Sequence, residues 1–298
     1  MVETAVAAIP GKSRRRWRSA RGVRSGLYYL LVLAVCLVTF FPIYWMLVTA
    51  IQPSRFTTIY PPSLWPREID LTAFRQVFAR EPIERWIGNS LVLAGIATLL
   101  CTALAIFAAY ALSAMRWRGR AAFAVFLLMT QMLPEALIIV PIFRIYTDFP
   151  VLHIKLRESL PGLSLIDAAF MLPIGTWILK NMFDTVPREV REAALVDGAG
   201  PLRVLWEIVL PLTRAGLVAV GVVAFFYAWN EFLFAQTMVQ GDDNKPASVG
   251  LASMISMLDT PVDRLLAAGL IFAIPPVVFY VVMQRYIVAG ITAGAVKG

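Results

Sequence analysis

The residues of this chain whose types and spacing are suited to chemistry lie in two places. The first is inside apolar runs. Glu135 follows Pro134 within "QMLPEALIIVPIF", and an ionisable side chain at membrane depth costs about 3 kcal/mol or more, so it is read as a functional group by default. Gln131 precedes it by one helical turn, on the same face of a continuous helix. Asn230 and Glu231 follow Trp229 in "AWNEFLFAQTM"; they either line a polar path or cap their helix and brace the loop beyond it. Such groups exchange hydrogen bonds with a polar solute, and none is set beside a nucleophile. The second place is "REVREAALVDGAGPLRVLWEIVLPLTR", Arg188 to Arg214, a charged stretch in a chain that is 15% charged and 59% hydrophobic.

The chemistry that is missing narrows the class. No Gly-x-Ser-Gly, paired-aspartate or His-Glu-x-x-His pattern occurs, and no glycine-rich loop ends in Gly-Lys-Ser or Gly-Lys-Thr. The 2 cysteines, Cys36 and Cys101, sit in apolar runs as small packing residues, and the 1 histidine, His153, sits in a polar linker. That supply offers no metal site and no disulfide framework. The internal repeat with broken helices in both halves that marks many secondary transporters is also not seen.

The elements that must position these residues are membrane helices. With 298 residues and a mean hydropathy of +0.72, the chain reads as an all-α polytopic membrane protein. After a basic tail over 1–26, six apolar spans are predicted at about 27–51, 87–112, 121–143, 163–183, 215–235 and 265–283. Asp167, Lys180 and Asn181 interrupt or edge the fourth. Pro173 and the Pro275-Pro276 pair predict kinks in the fourth and sixth. Trp177, Phe225 and Phe226 are placed to offer aromatic faces to a solute, though bulk facing lipid is the plainer reading of each. With the N-terminus inside, the inner segments hold 17 of the 27 lysines and arginines, which places both termini in the cytoplasm. The tail "GKSRRRWRSARGVR" then meets anionic lipid at roughly 1 kcal/mol per basic residue near the surface, in preference to nucleic acid.

The charged stretch falls on the inner side, over 187–212. Pro187 suits a first helical position and Glu189 favours the positive end of the helix dipole. Arg188 and Glu192 lie one turn apart. The helix is expected to stop near Gly198, because glycine takes the left-handed cap conformation cheaply. Pro201 starts a second helix with Leu202, Leu205, Ile208 and Val209 as one apolar stripe. Ala193 and Ala194 remove bulk from one face, so another protein's groove can approach the backbone; an amphipathic pair that only caps the bundle is the structural alternative.

The spacing Glu192-Ala193-Ala194, three residues, Gly198, nine residues, Ile208, one residue, Leu210-Pro211 resembles the EAA signature of the membrane subunits of ABC importers. Within them the chain is similar to the second permease subunit of carbohydrate importers, the maltose, trehalose and glycerol-phosphate branch, through "QMLPEALIIVPIF", "AWNEFLFAQTM" and the terminal "QRYIVAGITAGAVKG". The resemblance implies a type I importer fold over 27–289, with spans two to six as core and span one wrapping a partner. It implies that Glu192, Ala193, Ala194, Asp197, Gly198, Leu202, Ile208 and Pro211 dock into a cytoplasmic ATPase. Further implied partners are a second, homologous permease in a heterodimer, two ATPase subunits, and an extracytoplasmic sugar-binding protein that meets the loops Gln52 to Trp86 and Gln236 to Arg264. ATP and magnesium belong to the ATPase; this chain holds no cofactor and is not an enzyme. The setting implied is a bacterial inner membrane. From the residues alone "ITAGAVKG" predicts no further helix, only a frayed tail over 290–298; the resemblance implies instead that this tail, with Thr292, Gly294 and Lys297, reaches the ATPases.

Overall fold

The computed structural model describes residues 14–57, 59–148, 156–256 and 260–295. Among these residues the regular structure is helical: α1 (Arg14–Ala50), α2 (Thr72–Arg80), α3 (Ile83–Ser113), α4 (Arg120–Thr130), α5 (Glu135–Asp148), α6 (Leu160–Asp184), α7 (Arg188–Val196), α8 (Pro201–Val204), a π-turn over Leu205–Val209, α9 (Leu210–Leu212), α10 (Arg214–Trp229), α11 (Leu233–Met238), α12 (Ala247–Ser253) and α13 (Val262–Ala295).

The core is built on α3, α6 and α10. Along α3, Ala94, Ala97, Cys101, Ala105 and Ala109 recur every three or four residues and are all buried. Small residues at this spacing let backbones approach where lipid offers no hydrophobic driving force between helices. Gly175 of α6 shows how close the approach is: a Cβ there would stand 3.1 Å from Val220 Cγ1, 3.3 Å from Cys101 Sγ and 3.4 Å from Ala105 Cβ. An aromatic run then ties α10 to α13, with ring centroids 4.0 Å apart for Phe225 and Phe279 and 5.1 Å for Trp229 and Phe272. Phe225 is thus a packing residue rather than a free face for a solute. Helix α1 packs along α13 and leaves most of its apolar surface uncovered.

Among the described residues four helices are long and apolar enough to cross a membrane, and six spans result when each of two bent pairs counts as one. The bends correct the predicted boundaries. The third span is not one continuous helix over 121–143 but α4 and α5, inclined at 98°. Pro134 has no N–H to donate, so the chain tightens before it: Gln131, Met132 and Leu133 donate to the carbonyls three residues back. Gln131 and Glu135 therefore do not share a helical face. The fifth span ends at Trp229, and the residues up to Ala235 turn into the separate α11. Before it, the stretch Pro201–Leu212 meets α10 at 80° around Thr213, whose hydroxyl donates to the Val209 carbonyl at 2.7 Å.

Helices α6 and α13 run unbroken through Pro173 and Pro275-Pro276. The frayed tail read from "ITAGAVKG" is also corrected: α13 continues through Thr292 and Gly294 to Ala295. Extending an existing helix incurs no new nucleation cost, which is what so short a glycine-rich segment could not meet alone. Lys297 lies outside the described residues.

At the opposite end of α3 from α7, α2 and α12 fold over the bundle around Trp86, Val77, Ala247 and Ala267. Arg85 binds Asp243 at 2.6 Å, and the Asn89 side-chain amide donates to the carbonyls of Asp243 and Lys245 at 2.9 and 3.0 Å. These bonds hold the α11–α12 loop against α3.

Candidate functional site

The charged stretch folds into two helical pieces joined by a tight turn. The N–H of Gly198 donates to Leu195 O and that of Ala199 to Ala194 O, at 3.1 and 3.0 Å. This is a Schellman termination of α7, and Gly198 at φ +87° supplies the left-handed residue it requires. Pro187 precedes α7 as its cap rather than opening it. The turn leaves the second piece clamped on the bundle, because Val204, Leu205, Val209 and Leu210 are buried with the core residues of α3, α6 and α10.

The periodicity sorts the eight expected docking residues into two sets. Glu192, Ala193, Asp197, Gly198, Leu202 and Pro211 face outward. Ala194 and Ile208 instead pack against the protein's own core. The expectation that both alanines flatten one outer face is corrected: consecutive helical positions point 100° apart, so Ala193 is presented while Ala194 attaches α7 to the bundle. Leu202 leaves the expected stripe for the same reason; it is 59% exposed, and Val204 takes the inward position. The outer surface gains apolar residues that sequence reasoning passed over. Val196 is 88% exposed, with Leu195 and Trp206 beside it in the same helix pair. Charges flank them; the Arg203–Glu207 pair at 2.9 Å is well exposed and adds little stability. Arg188 and Glu192 form no salt bridge.

A polar contact joins the pair to the membrane part. Tyr110, near the end of α3, donates from its hydroxyl to the Pro201 carbonyl at 2.9 Å.

The second cluster lies inside the bundle. Glu135, at the start of α5, accepts a hydrogen bond from the Tyr227 hydroxyl of α10 at 2.5 Å. Asp167 of α6 is 1% exposed, and neither carboxylate oxygen has a hydrogen-bond partner. Glu135 and Glu231 lie near it. Tyr146 of α5 donates to the Gly162 carbonyl at 3.0 Å, stitching α5 to α6. Of the two roles left open for Glu231, the geometry supplies capping: its oxygens accept from the N–H groups of Phe234 and Ala235 at 2.7 and 2.8 Å, the bonding expected of an acid at a helix start. The Ser248 hydroxyl donates to the Glu231 carbonyl, so the same residue anchors α12. Asn230 bonds back to the Phe226 carbonyl at 2.8 Å. Gln131 donates to the Phe170 carbonyl at 2.9 Å and is held apart from Glu135.

Sequence reasoning took Asp167 as an interruption of span four and overlooked Tyr227. The signal for Asp167 was present, since the argument that an acid in an apolar run is functional applies to it as well as to Glu135. No local pattern marks Tyr227, whose partner is 92 residues away.

Charged elbows outside the spans and a polar cluster buried among them define a multi-pass membrane conduit rather than a catalytic pocket. The chain belongs to the family described as "Binding-protein-dependent transport system inner membrane component", which matches residues 101–293; it is a non-catalytic membrane subunit of an ABC transporter. It is 33% identical over 277 residues to the inner membrane ABC transporter permease protein YcjP of Escherichia coli strain K12, covering 92% of this chain and 97% of that one. To the diacetylchitobiose uptake system permease protein DasC of Streptomyces coelicolor it is 30% identical over 258 residues, covering 87% and 92%. To the maltodextrin transport system permease protein MdxG of Bacillus subtilis it is 34% identical over 232 residues, covering 76% and 81%. The fold matches a chain in the crystal structure of a bacterial ABC transporter involved in the import of the acidic polysaccharide alginate, with a TM-score of 0.74 and 21% identity over 94% of this chain and 99% of that one. A second structure of a bacterial alginate ABC transporter, in complex with an alginate-pentasaccharide-bound periplasmic protein, matches with a TM-score of 0.68 and 15% identity, covering 91% and 96%.

Proposed function

We propose that this chain is the permease through which a sugar or sugar derivative enters the cytoplasm, driven by ATP hydrolysis on separate subunits. The observation that carries the reading is the helix pair: an exposed apolar and charged surface on a rigid mount whose inner face is part of the bundle core. A surface so attached transmits displacement, because packed interfaces switch between arrangements rather than deform continuously. In this reading Glu192, Ala193, Asp197, Gly198 and Leu202 receive the ATPase, and Ala194 and Ile208 hold the receiving surface to the bundle. ATP and magnesium sit on a pair of ATPase subunits. A second, similar permease completes the path, and a sugar-loaded binding protein delivers to the end that carries α2 and α12. Both termini are cytoplasmic. The sugar assignment draws support from relatives named for diacetylchitobiose and maltodextrin. The hydroxyl and carboxylate groups of Tyr227, Glu135 and Asp167 are of the kind that exchange hydrogen bonds with sugar hydroxyls.

The test is co-purification with site-directed cross-linking. Ala193→Cys, in a Cys36→Ser background that keeps the buried Cys101, is expected to cross-link to an ATPase chain and to recover a second permease with it. Transport by this chain reconstituted alone overturns the reading. A thermal-shift screen of sugars on the associated binding protein identifies the solute, and stabilisation only by non-sugars overturns the substrate class.

A further inference from the structure

Beside the helix pair lies a cavity of about 220 Å³ between the end of α3, the α3–α4 loop and α7. Arg116, Arg120, Arg188 and Arg191 line it, and the acid among its lining residues is Glu192. Among the described residues none of the four guanidiniums closes a salt bridge. Arg191 carries a buried Nη1 without a hydrogen-bond partner. The acid close enough to act on Arg120, Asp184, is already engaged by Lys180 Nζ and Ser113 Oγ, each at 2.6 Å. Four arginines against one lining carboxylate, Glu192, leave an excess of positive charge, a cradle for an anion rich in acceptor oxygens, which guanidinium forks grip in paired hydrogen bonds.

A second feature adjoins it. Arg120 also lines a groove of about 480 Å³ whose walls include Leu112, Trp117, Ala124, Trp177 and Lys180. Gly119, at φ +91°, folds the loop so that its Cα faces the Trp117 ring, where an added Cβ would stand 3.5 Å away. The Trp117 indole N–H donates to the Ala111 carbonyl at 3.1 Å, and Lys180 Nζ lies 5.4 Å from the Trp177 ring centre. Tryptophan bodies with lysine and arginine heads, at the end of two membrane-crossing helices, mark the depth of lipid headgroups.

We infer that the cavity and groove together form a binding site for an anionic phospholipid, its phosphate held by Arg116, Arg120 and Arg191 and the start of an acyl chain lying along Trp117 and Trp177. Basic pockets between membrane helices take lipid headgroups in this way. The site spans the contact between α7 and the α3–α4 loop, so an occupying lipid braces the helix pair against the bundle. In the orientation proposed above, on which only the choice of side rests, the site faces the cytoplasmic leaflet. Lipid retention is read without transport, so its failure and the failure of the permease reading are separate results.

The purified full chain is incubated with equal amounts of phosphatidylglycerol and phosphatidylcholine of matched acyl chains, and retained lipid is read by native mass spectrometry. Preferential retention of phosphatidylglycerol is expected, reduced at least about tenfold in Arg116→Gln/Arg120→Gln. It is expected to stay unchanged in Arg75→Gln/Arg80→Gln, which removes the same charge from α2 at the other end of α3. Equal retention of phosphatidylcholine, or full retention by the Arg116→Gln/Arg120→Gln variant, overturns the inference. Displacement of the lipid by millimolar inorganic phosphate also overturns it, since the site would then belong to a free anion. Should the double variant fail to insert, photoactivatable phosphatidylglycerol on the unmodified chain decides: labels within 110–124, 177–180 or 188–192 support the site, and labels only elsewhere sink it.

Discussion

The hydroxyl of Tyr110 donates a 2.9 Å hydrogen bond to the carbonyl of Pro201, joining the last turns of α3 to the first residue of α8. Tyr110→Phe keeps the ring in its buried place and removes only the donor, at a cost of about 1 kcal/mol. We expect insertion and yield to be unchanged and the ratio of solute imported to ATP hydrolysed to fall severalfold in the reconstituted complex. An unchanged ratio would show that the contact is structural alone.

Gly198 has φ +87° and open space where a Cβ would go. A substitution there is therefore penalised by backbone conformation and not by collision, at roughly 1 to 2 kcal/mol for an ordinary residue. Asparagine visits this region more readily than alanine, and a β-branched residue least of all. Coupling measured for Gly198→Asn, Gly198→Ala and Gly198→Val should decline in that order. The reverse order would mean that side-chain bulk against a partner, and not the turn, is what the position protects.

Gly250 and Trp86 meet at the other end of the bundle, where a Cβ on residue 250 would stand 2.3 Å from the indole ring. Gly250→Ala forces the ring or α12 to move. Overpacking of this kind costs about 1 to 3 kcal/mol, so a lower midpoint in detergent thermal unfolding is expected. Trp86→Leu in the same chain should recover part of the loss by making room. A double variant no better than Gly250→Ala would indicate that α12 is held elsewhere.

Glu135 and Tyr227 give a double-mutant cycle. A hydrogen bond of this kind is worth about 1 kcal/mol, so the stability losses of Glu135→Gln and Tyr227→Phe should overlap instead of adding. Additive losses would mean that the two side chains act independently. In uptake assays the same variants test whether this pair meets solute, through KM against kcat.

Asp70 precedes α2 and accepts from the Thr72 N–H at 2.8 Å and from its hydroxyl at 2.5 Å. These bonds favour the charged form and hold its carboxyl below the usual carboxylate range. Because the folded value is the lower one, the stabilisation is full above the unfolded pKa and is lost as pH falls through the folded one. Protection of the Thr72 amide in hydrogen exchange should weaken in that acid window, and Asp70→Ala should abolish the dependence. A window left in place by Asp70→Ala would assign it to another acid.

Which features were legible in the sequence follows from how far apart the deciding residues are. The apolar runs, the charged pair between them, the glycine stop at Gly198 and the lack of a nucleotide loop are all local. Hydropathy, helical period and backbone preference act over a turn or two, and α7 ends where Gly198 said it would. The bend at Pro134 carried a local signal too, but its consequence was missed: once α4 and α5 part at 98°, the four-residue spacing of Gln131 and Glu135 no longer brings them together.

What only the tertiary structure decided is which polar group meets which. Glu135 finds Tyr227, Tyr110 finds Pro201, and the buried Glu231 caps α11, through contacts set by helix packing. The same packing chose Ala194 over Ala193 as the attachment point and gathered arginines of α7 and the α3–α4 loop around one cavity. The sequence by itself determined that the chain is a membrane conduit with a charged elbow, because burial in lipid and helix termination are properties of short segments. The geometry of the elbow's mount and of the buried cluster is a property of helices separated by scores of residues, and only their packing brings those side chains within reach of one another.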